Sequence, residues 1–320
     1  MKLLIKLILG LGVLGIIAIG AVAITLAYID PNDYKDTIAS KVKDETGRDL
    51  RIDGNIGLTF YPWLGLDVEG VSLSNAKGFG EAPFLQTKTI KVRAKLMPLL
   101  RKELEMDTLV LHGATINLAK NAEGVSNWDD MVKPKTKTKE PASSDEGMPL
   151  AALVLGGIDI KDANIHWNDM QQKVEYKISD ANIVTGELKL GEPIDITASL
   201  NASASKPALS SAIQFKGTVA YANGGDVLTL KPMSLEAKVK GKEIPGGAAV
   251  IKLSSEIYVD VDKETAQIKD LMFSAFDTEI NGQIDAAEIK CQIRPLIWAR
   301  HLMLIWIEVI LISRSWILMS

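Results

Sequence analysis

The chain has 320 residues, 47% of them hydrophobic, with 40 acidic against 36 basic side chains and a net charge of −4. That balance excludes an ordinary nucleic-acid binder, whose surface is basic, and no basic stripe interleaved with aromatics occurs. A single cysteine, Cys291, excludes an internal disulfide framework and leaves the redox compartment open. Length alone points to about two domains or one long β-domain.

Residues 7–29 form a run of 23 residues without a charge, in which only Thr25 and Tyr28 carry polar atoms. As a helix it would be about 34 Å long, enough to span a bilayer core with some tilt. Lys2 and Lys6 precede it and Asp30 and Asp33 follow it, so the positive-inside bias keeps the N-terminus cytoplasmic and sends the rest across. A cleaved signal peptide, with Ala21-Val22-Ala23 as its site, is the competing reading, but its apolar part is usually about 7–15 residues. A retained anchor over residues 1–29 is the expectation. It has no glycines four apart and hence no GxxxG pairing signal.

Asp30-Pro31 opens a helix over residues 31–46, with Asp as N-cap, Pro in the first turn and Gly47 as the stop. Tyr34, Ile38 and Val42 fall at helical spacing. This short capping helix is expected to lay that stripe against the end of the following sheet rather than on a membrane surface.

From Leu50 the period changes to two, the mark of half-buried strands. Leu50-Ile52 and Ile56-Leu58-Phe60 lead to a corner at Pro62-Trp63-Leu64-Gly65, and another strand lies between Phe84 and Val92. Leu96 to Met106 reads as a short helical crossover. Across the chain one unit recurs six times: apolar, any, apolar, any, pivot, apolar, any, apolar. It is Leu66-Val68-Gly70-Val71-Leu73, Leu109-Leu111-Gly113-Ala114-Ile116 and Ile158-Ile160-Asp162-Ala163-Ile165. It returns as Tyr176-Ile178-Asp180-Ala181-Ile183, Leu228-Leu230-Pro232-Met233-Leu235 and Ala266-Ile268-Asp270-Leu271-Phe273. The pivot shifts the parity by one, so a straight strand would turn the second apolar pair to the wrong face, and a bulge at the pivot corrects this. Alternation is common to β-rich chains, and the spacings of 43, 49, 18, 52 and 38 residues are irregular. The fixed offset of the pivot is what marks a structural repeat.

Residues 133–149 are rich in Lys, Thr, Pro and Ser and too poor in apolar side chains to offset their ordering entropy, so a disordered loop is expected there. It separates a β-segment at 30–132 from a second at 150–290; these could be two units or one continuous sheet. The last stretch, 291–320, abandons the alternation. Its longest apolar run, residues 302–312, is too short for a comfortable span and contains Glu308. It reads as an aberrant tail, as in a truncated or frameshifted copy.

No catalytic constellation emerges. His112, His166 and His301 have no cysteine or second histidine at metal-ligand spacing. HExxH, GxSxG and Walker loops are missing from the sequence. Gly78-Phe79-Gly80 and Gly246-Gly247 read as turns. Asp129-Asp130, and Asp260 with Asp262, read as turn and solvent-face residues. The reading is therefore a non-enzyme without cofactor or metal.

Apolar surface is what remains. A sheet with one apolar face must cover it with a second layer or curl it into a trough, and few helices are available as cover. The expected fold is mainly β: a curled, repetitive antiparallel sheet, with a self-packed sandwich as the alternative. Leu109, Leu111, Ile158, Ile160, Tyr176, Ile178, Leu228 and Leu230 are the candidate lining of an apolar groove that could hold lipid acyl chains.

The stretch from the anchor to about Met131 resembles the AsmA family of inner-membrane-anchored envelope proteins. The resemblance is carried by Thr46-Gly47-Arg48, Ile52-Asp53-Gly54, Phe60-Tyr61-Pro62-Trp63-Leu64-Gly65-Leu66, Gly70-Val71 and Asn75. It continues in Ala82-Pro83-Phe84, Pro98-Leu99-Leu100, Leu109-Val110-Leu111 with Gly113, and Asn127-Trp128. Residues 150–288 fit more loosely, through the β-pattern. The resemblance implies an anchor in the inner membrane of a Gram-negative bacterium, a periplasmic body and a role in outer-membrane biogenesis. It also implies kinship with β-groove proteins thought to carry phospholipid, and members usually continue for several hundred residues more. Phospholipid and envelope or outer-membrane proteins are thus the expected partners. Two readings follow: a passive lipid-handling groove, or a scaffold for outer-membrane protein assembly that binds no lipid.

Overall fold

The structure, a computed structural model, describes residues 30–132 and 153–287, apart from Tyr61, Lys102, Leu190 and residues 223–226. The expected anchor at 1–29, the polar segment at 133–149 and the tail at 291–320 lie outside the described residues. No helix among the described residues is long and apolar enough to cross a membrane.

A 3-10 turn, Pro31–Tyr34, runs into the helix Lys35–Thr46. Four strands follow, β1 (Leu50–Ile52), β2 (Ile56–Thr59), β3 (Trp63–Leu73) and β4 (Leu85–Lys95), then the short helix Leu96–Leu100. Next come β5 (Leu104–Met106), β6 (Leu109–His112), β7 (Thr115–Lys120) and the helical turn Asp129–Val132. The remainder is β8 (Leu153–Leu155), β9 (Ile158–Asp169), β10 (Val174–Thr185), β11 (Leu188–Lys189), β12 (Ile194–Ser205) and β13 (Ala208–Ala222). It ends with β14 (Val227–Gly241), β15 (Ala248–Asp260), β16 (Thr265–Ala275) and β17 (Thr278–Ala287).

All seventeen strands belong to one sheet. Its rows run from β1 and β2 through β3 and β4 to the broken row β5–β6–β7. Then come β8 with β9, β10 with β11, and β12 to β17 in order. The sheet is mixed, which corrects the antiparallel expectation. β5 pairs with β8, and β6 and β7 pair with β9, all in parallel. After β7 the chain makes a long excursion before β8, so it returns beside β5–β7 in the same direction, as only a long connection permits. That parallel seam joins the 30–132 and 150–290 segments into one continuous sheet. The crossover expected at 96–106 is helical only over Leu96–Leu100, with Leu104–Met106 completing it as strand β5.

The pivots are where the backbone leaves ordinary strand geometry. Gly70 and Gly113 sit at φ +64°, Asp162 and Asp180 at +52° and Asp270 at +48°, while Pro232 follows a cis peptide. At Asp180, two residues of β10 face one of β12; the same two-against-one count recurs around Pro232 and Asp270. These are the bulges that parity required, and bulges bend a strand and raise its twist. Aspartate tolerates the left-handed region better than most residues, glycine best. An added Cβ at Gly70 would lie 2.9 Å from the backbone nitrogen of Gly54. Gly70→Ala is therefore expected to lower stability by about 2 kcal/mol or more. Asp270→Gly is expected to be neutral or to raise stability by up to about 1 kcal/mol. Urea unfolding midpoints of the two variants check both signs.

The first helix docks on the edge of the sheet, but not through the stripe expected. Ile56 N donates to Asn32 Oδ1 at 3.0 Å, Asn32 Nδ2 donates back to Ile56 O, and Lys35 Nζ donates to Gly54 O at 2.7 Å. These polar bonds fix the rotation of the helix. Lys35, Ala39, Val42 and Thr46 are half-buried, whereas Tyr34 and Ile38 are exposed.

Candidate functional site

Strands β12 and β13 alternate without a break and define the two faces. On β12, Ile194, Ile196, Ala198, Leu200 and Ala202 alternate with Asp195, Thr197, Ser199 and Asn201. Residues paired across strands share a face, so register carries these faces through the whole sheet. One row is apolar from edge to edge. It runs Ile56, Val68, Ile90, Leu111, Ile160 and Ile183, then Ala198, Phe215, Leu235, Leu253, Phe273 and Ile280. At about 4.8 Å per strand this twelve-residue row spans roughly 53 Å.

A second row, Leu50, Leu73, Leu85, Ile116, Ile165, Ile178 and Ala202, lies on the same face on the far side of the first line of bulges. A third, Ile194, Val219, Leu230, Ile257, Ile268 and Ile284, lies beyond the bulge line of the second half. Each bulge returns the chain to the common face after its parity shift, so the pivots keep this face apolar. The opposite face carries Lys, Asp, Asn, Ser and Thr.

All eight sequence candidates stand on the apolar face. Leu111 and Ile160 are members of the long row, and Leu109 pairs with Ile158 one step along it. Tyr176 pairs with Trp167 and Ala204, and Ile178 with Ile165 and Ala202, across the bulge line. Leu228 and Leu230 pair with Tyr221 and Val219 on β13. Sequence reasoning missed the remainder of the row, Phe215, Leu253 and Ile280 among them, because their alignment depends on pairing register. In the last three bulged strands of the row its members stand three residues after the pivot (Ile183, Leu235, Phe273), which is the available signal.

No second layer among the described residues covers this face as in a sandwich. Among the described residues the buried apolar side chains are Ile56, Val68, Ala114, Ala181, Val227, Met233, Ala237 and Ala275, and most are small. Leu111, Ile160, Phe215, Leu235 and Phe273 stay partly accessible, and Ile280 is 52% exposed. A band about 53 Å by 14 Å has a footprint of about 700 Å², above the few hundred Å² of apolar patch usual on a monomer.

Beside β3, β4, β7 and β9 one end of the face is closed. Asn127, fully buried, accepts from Ala119 N at 2.9 Å and donates through Nδ2 to Asn75 Oδ1 and Asn117 O, both at 2.8 Å. The Arg48 guanidinium, 2% exposed, donates to Asn127 O and to both carboxylate oxygens of Asp130, and lies 4.7 Å from the Phe84 ring centroid. This pin holds Trp128 against Trp167, ring centroids 5.2 Å apart. The Arg48 hydrogen bond holds the Asp130 carboxyl below its ordinary pKa. Asp130 keeps its solvent exposure, as read from the sequence, and is in addition the structural partner of Arg48. Asp260, read the same way, is buried and caps its hairpin by accepting from Lys263 N.

On the polar face His112 Nε2 lies 3.1 Å from Asp159 Oδ2, to which Lys161 also donates. Burial disfavours the Asp159 charge, but these two partners outweigh it and hold the carboxyl below its usual range. No group of three or more metal-ligating side chains occurs among the described residues. A depression of about 580 Å³ lies against β13–β17, lined both by polar-face residues such as Gln214, Lys216 and Lys252 and by Phe215, Leu235, Leu253 and Phe273 of the long row. It contains none of the eight candidates.

The residues that form the closing pin, Arg48, Asn75, Phe84, Asn127 and Trp128, are among those through which the sequence resembles a known family, and the family model bears the resemblance out. The chain belongs to the AsmA family, whose model matches residues 1–291. It is similar to Protein AsmA of Escherichia coli (strain K12), with 27% identity over 135 residues, 42% of this chain and 22% of that protein. The alignment thus covers less than a quarter of that relative's length. No solved structure matches the chain.

Proposed function

We propose that the chain is a membrane-anchored protein of the bacterial envelope that carries phospholipid acyl chains along its apolar sheet face, in outer-membrane biogenesis and without catalysis. The carrying observation is the unbroken row from Ile56 to Ile280. Covering an exposed apolar face releases about 25 cal/mol per Å², and an acyl chain lying across the strands can do this where the described residues supply no second layer. The row spans roughly 53 Å, against about 15 Å for one leaflet of a 30 Å hydrocarbon core, so lipid would move along it rather than sit in one socket. Polar head groups would stay in water at its margin. AsmA family membership supports the envelope role, and the sequence of residues 7–29 supports an inner-membrane anchor with the body in the periplasm.

A second reading, a scaffold for outer-membrane proteins that binds no lipid, is favoured by strand β17. Among the described residues it is an edge, with Ile280 and Ile284 about half exposed, and such an edge can pair with another chain. Photo-crosslinking from the apolar row separates the two readings, since it yields adducts of phospholipid mass in one case and of protein mass in the other.

A further inference from the structure

We propose that the corner formed by the β2–β3 turn and the helix Leu96–Leu100 rests on the lipid bilayer and is the mouth through which acyl chains reach the apolar face. The inference builds on the anchoring and lipid-carrying reading above and adds a place of entry to it. The reciprocal bonds between Asn32 and Ile56 hold the start of the described chain, just after the apolar residues 7–29 in sequence, at the β2 edge of the sheet. Two residues along β2 from Ile56 stands Leu58, paired with Leu66 of β3. Leu64 follows on the same face, and Leu96 N donates to Pro62 O, which brings Met97 to the same corner.

These four side chains, Leu58, Leu64, Leu66 and Met97, are 36–58% exposed. Scattered singly they would mean little. Here register gathers them at one corner, beside the segment proposed to enter the membrane and at the edge where the apolar row begins. Lys95 Nζ lies 5.3 Å from the Trp63 ring centroid at this corner, and tryptophan and lysine are side chains that settle at the head-group level. The opposite end of the strands is covered at β7 and β9 by Trp128 on Trp167, which leaves this corner as the open approach beside the start of the row.

The test uses the full chain with Cys291→Ser, carrying a nitroxide at Leu64→Cys, at Met97→Cys, or at Met272→Cys as an exposed polar-face control, in phosphatidylethanolamine–phosphatidylglycerol nanodiscs. At 64 and 97 oxygen accessibility is expected to exceed that of a water-soluble nickel chelate several-fold, and at 272 the order is expected to reverse. Labels at 64 and 97 that behave like 272, in a chain that resists alkaline extraction, overturn the mouth and leave the anchor standing. A chain that alkali extracts overturns the anchoring, and the mouth with it. A Leu64→Ser, Met97→Ser chain with an unchanged β circular-dichroism signal should load a fluorescent phospholipid several-fold more slowly, and an unchanged loading rate also overturns the mouth.

Discussion

Leu235→Asp is expected to cut the phospholipid carried by the chain by about two orders of magnitude while the sheet remains folded. Leu235 sits in the long row between Phe215 and Leu253, so its side chain would lie under any acyl chain crossing β14. A carboxylate held against hydrocarbon costs about 2.5–3.5 kcal/mol, and each 1.4 kcal/mol is a factor of ten. Aspartate is chosen over lysine because a long side chain can carry its charge to the margin. The leucine is only partly buried, so the cost to folding is about 1–2 kcal/mol. Glu236→Lys, the next residue on the opposite face, changes charge by more and should leave carriage unchanged. Bound phospholipid per chain, read by mass spectrometry for the two variants side by side, gives the answer. Equal loss in both would mean that the apolar face has no special part in binding.

Asn127→Ala is expected to produce the largest loss of stability, about 3 kcal/mol. The amide is fully buried and serves Asn75 Oδ1, Asn117 O and Ala119 N at once. Removing it orphans groups that cost about 1–3 kcal/mol each when they stay dry, and water entering the space recovers part of the sum. Arg48 would keep its carboxylate but lose the ordered carbonyl of residue 127 as a fixed target. The loss should first appear locally: amide hydrogen exchange over residues 121–132 should rise before that of β12–β15. Exchange that rises uniformly would mean that the pin stabilises the whole sheet rather than its closed end.

The six-unit pattern was legible because a parity shift in a half-buried strand has few physical solutions. Gly70, Gly113, Asp162, Asp180 and Asp270 supply one of them, a residue in the left-handed region. Pairing register was not legible: nothing in the sequence states that Leu111 lies beside Ile160 rather than antiparallel to another strand. The long row and the parallel seam therefore both emerged only in three dimensions. Arg48 and Asn127 stood out through the family resemblance, but 79 residues separate them, and their contact depends on the fold. The pairing of the exposed Asp130 with Arg48 was hidden for the same reason, since the two lie far apart in the sequence. The first helix was misjudged because Asn32 and Lys35, not its apolar spacing, set its rotation against the sheet.

Photo-crosslinking along the long row tests the central claim most directly. A photoreactive amino acid placed in turn at Leu111, Phe215 and Phe273, and in turn at their opposite-face neighbours His112, Lys216 and Ser274, samples the two faces at matched heights across the sheet. Adducts of phospholipid mass are expected from all three row positions and none from the three neighbours. Adducts from both faces alike, or none from the row, would contradict that claim.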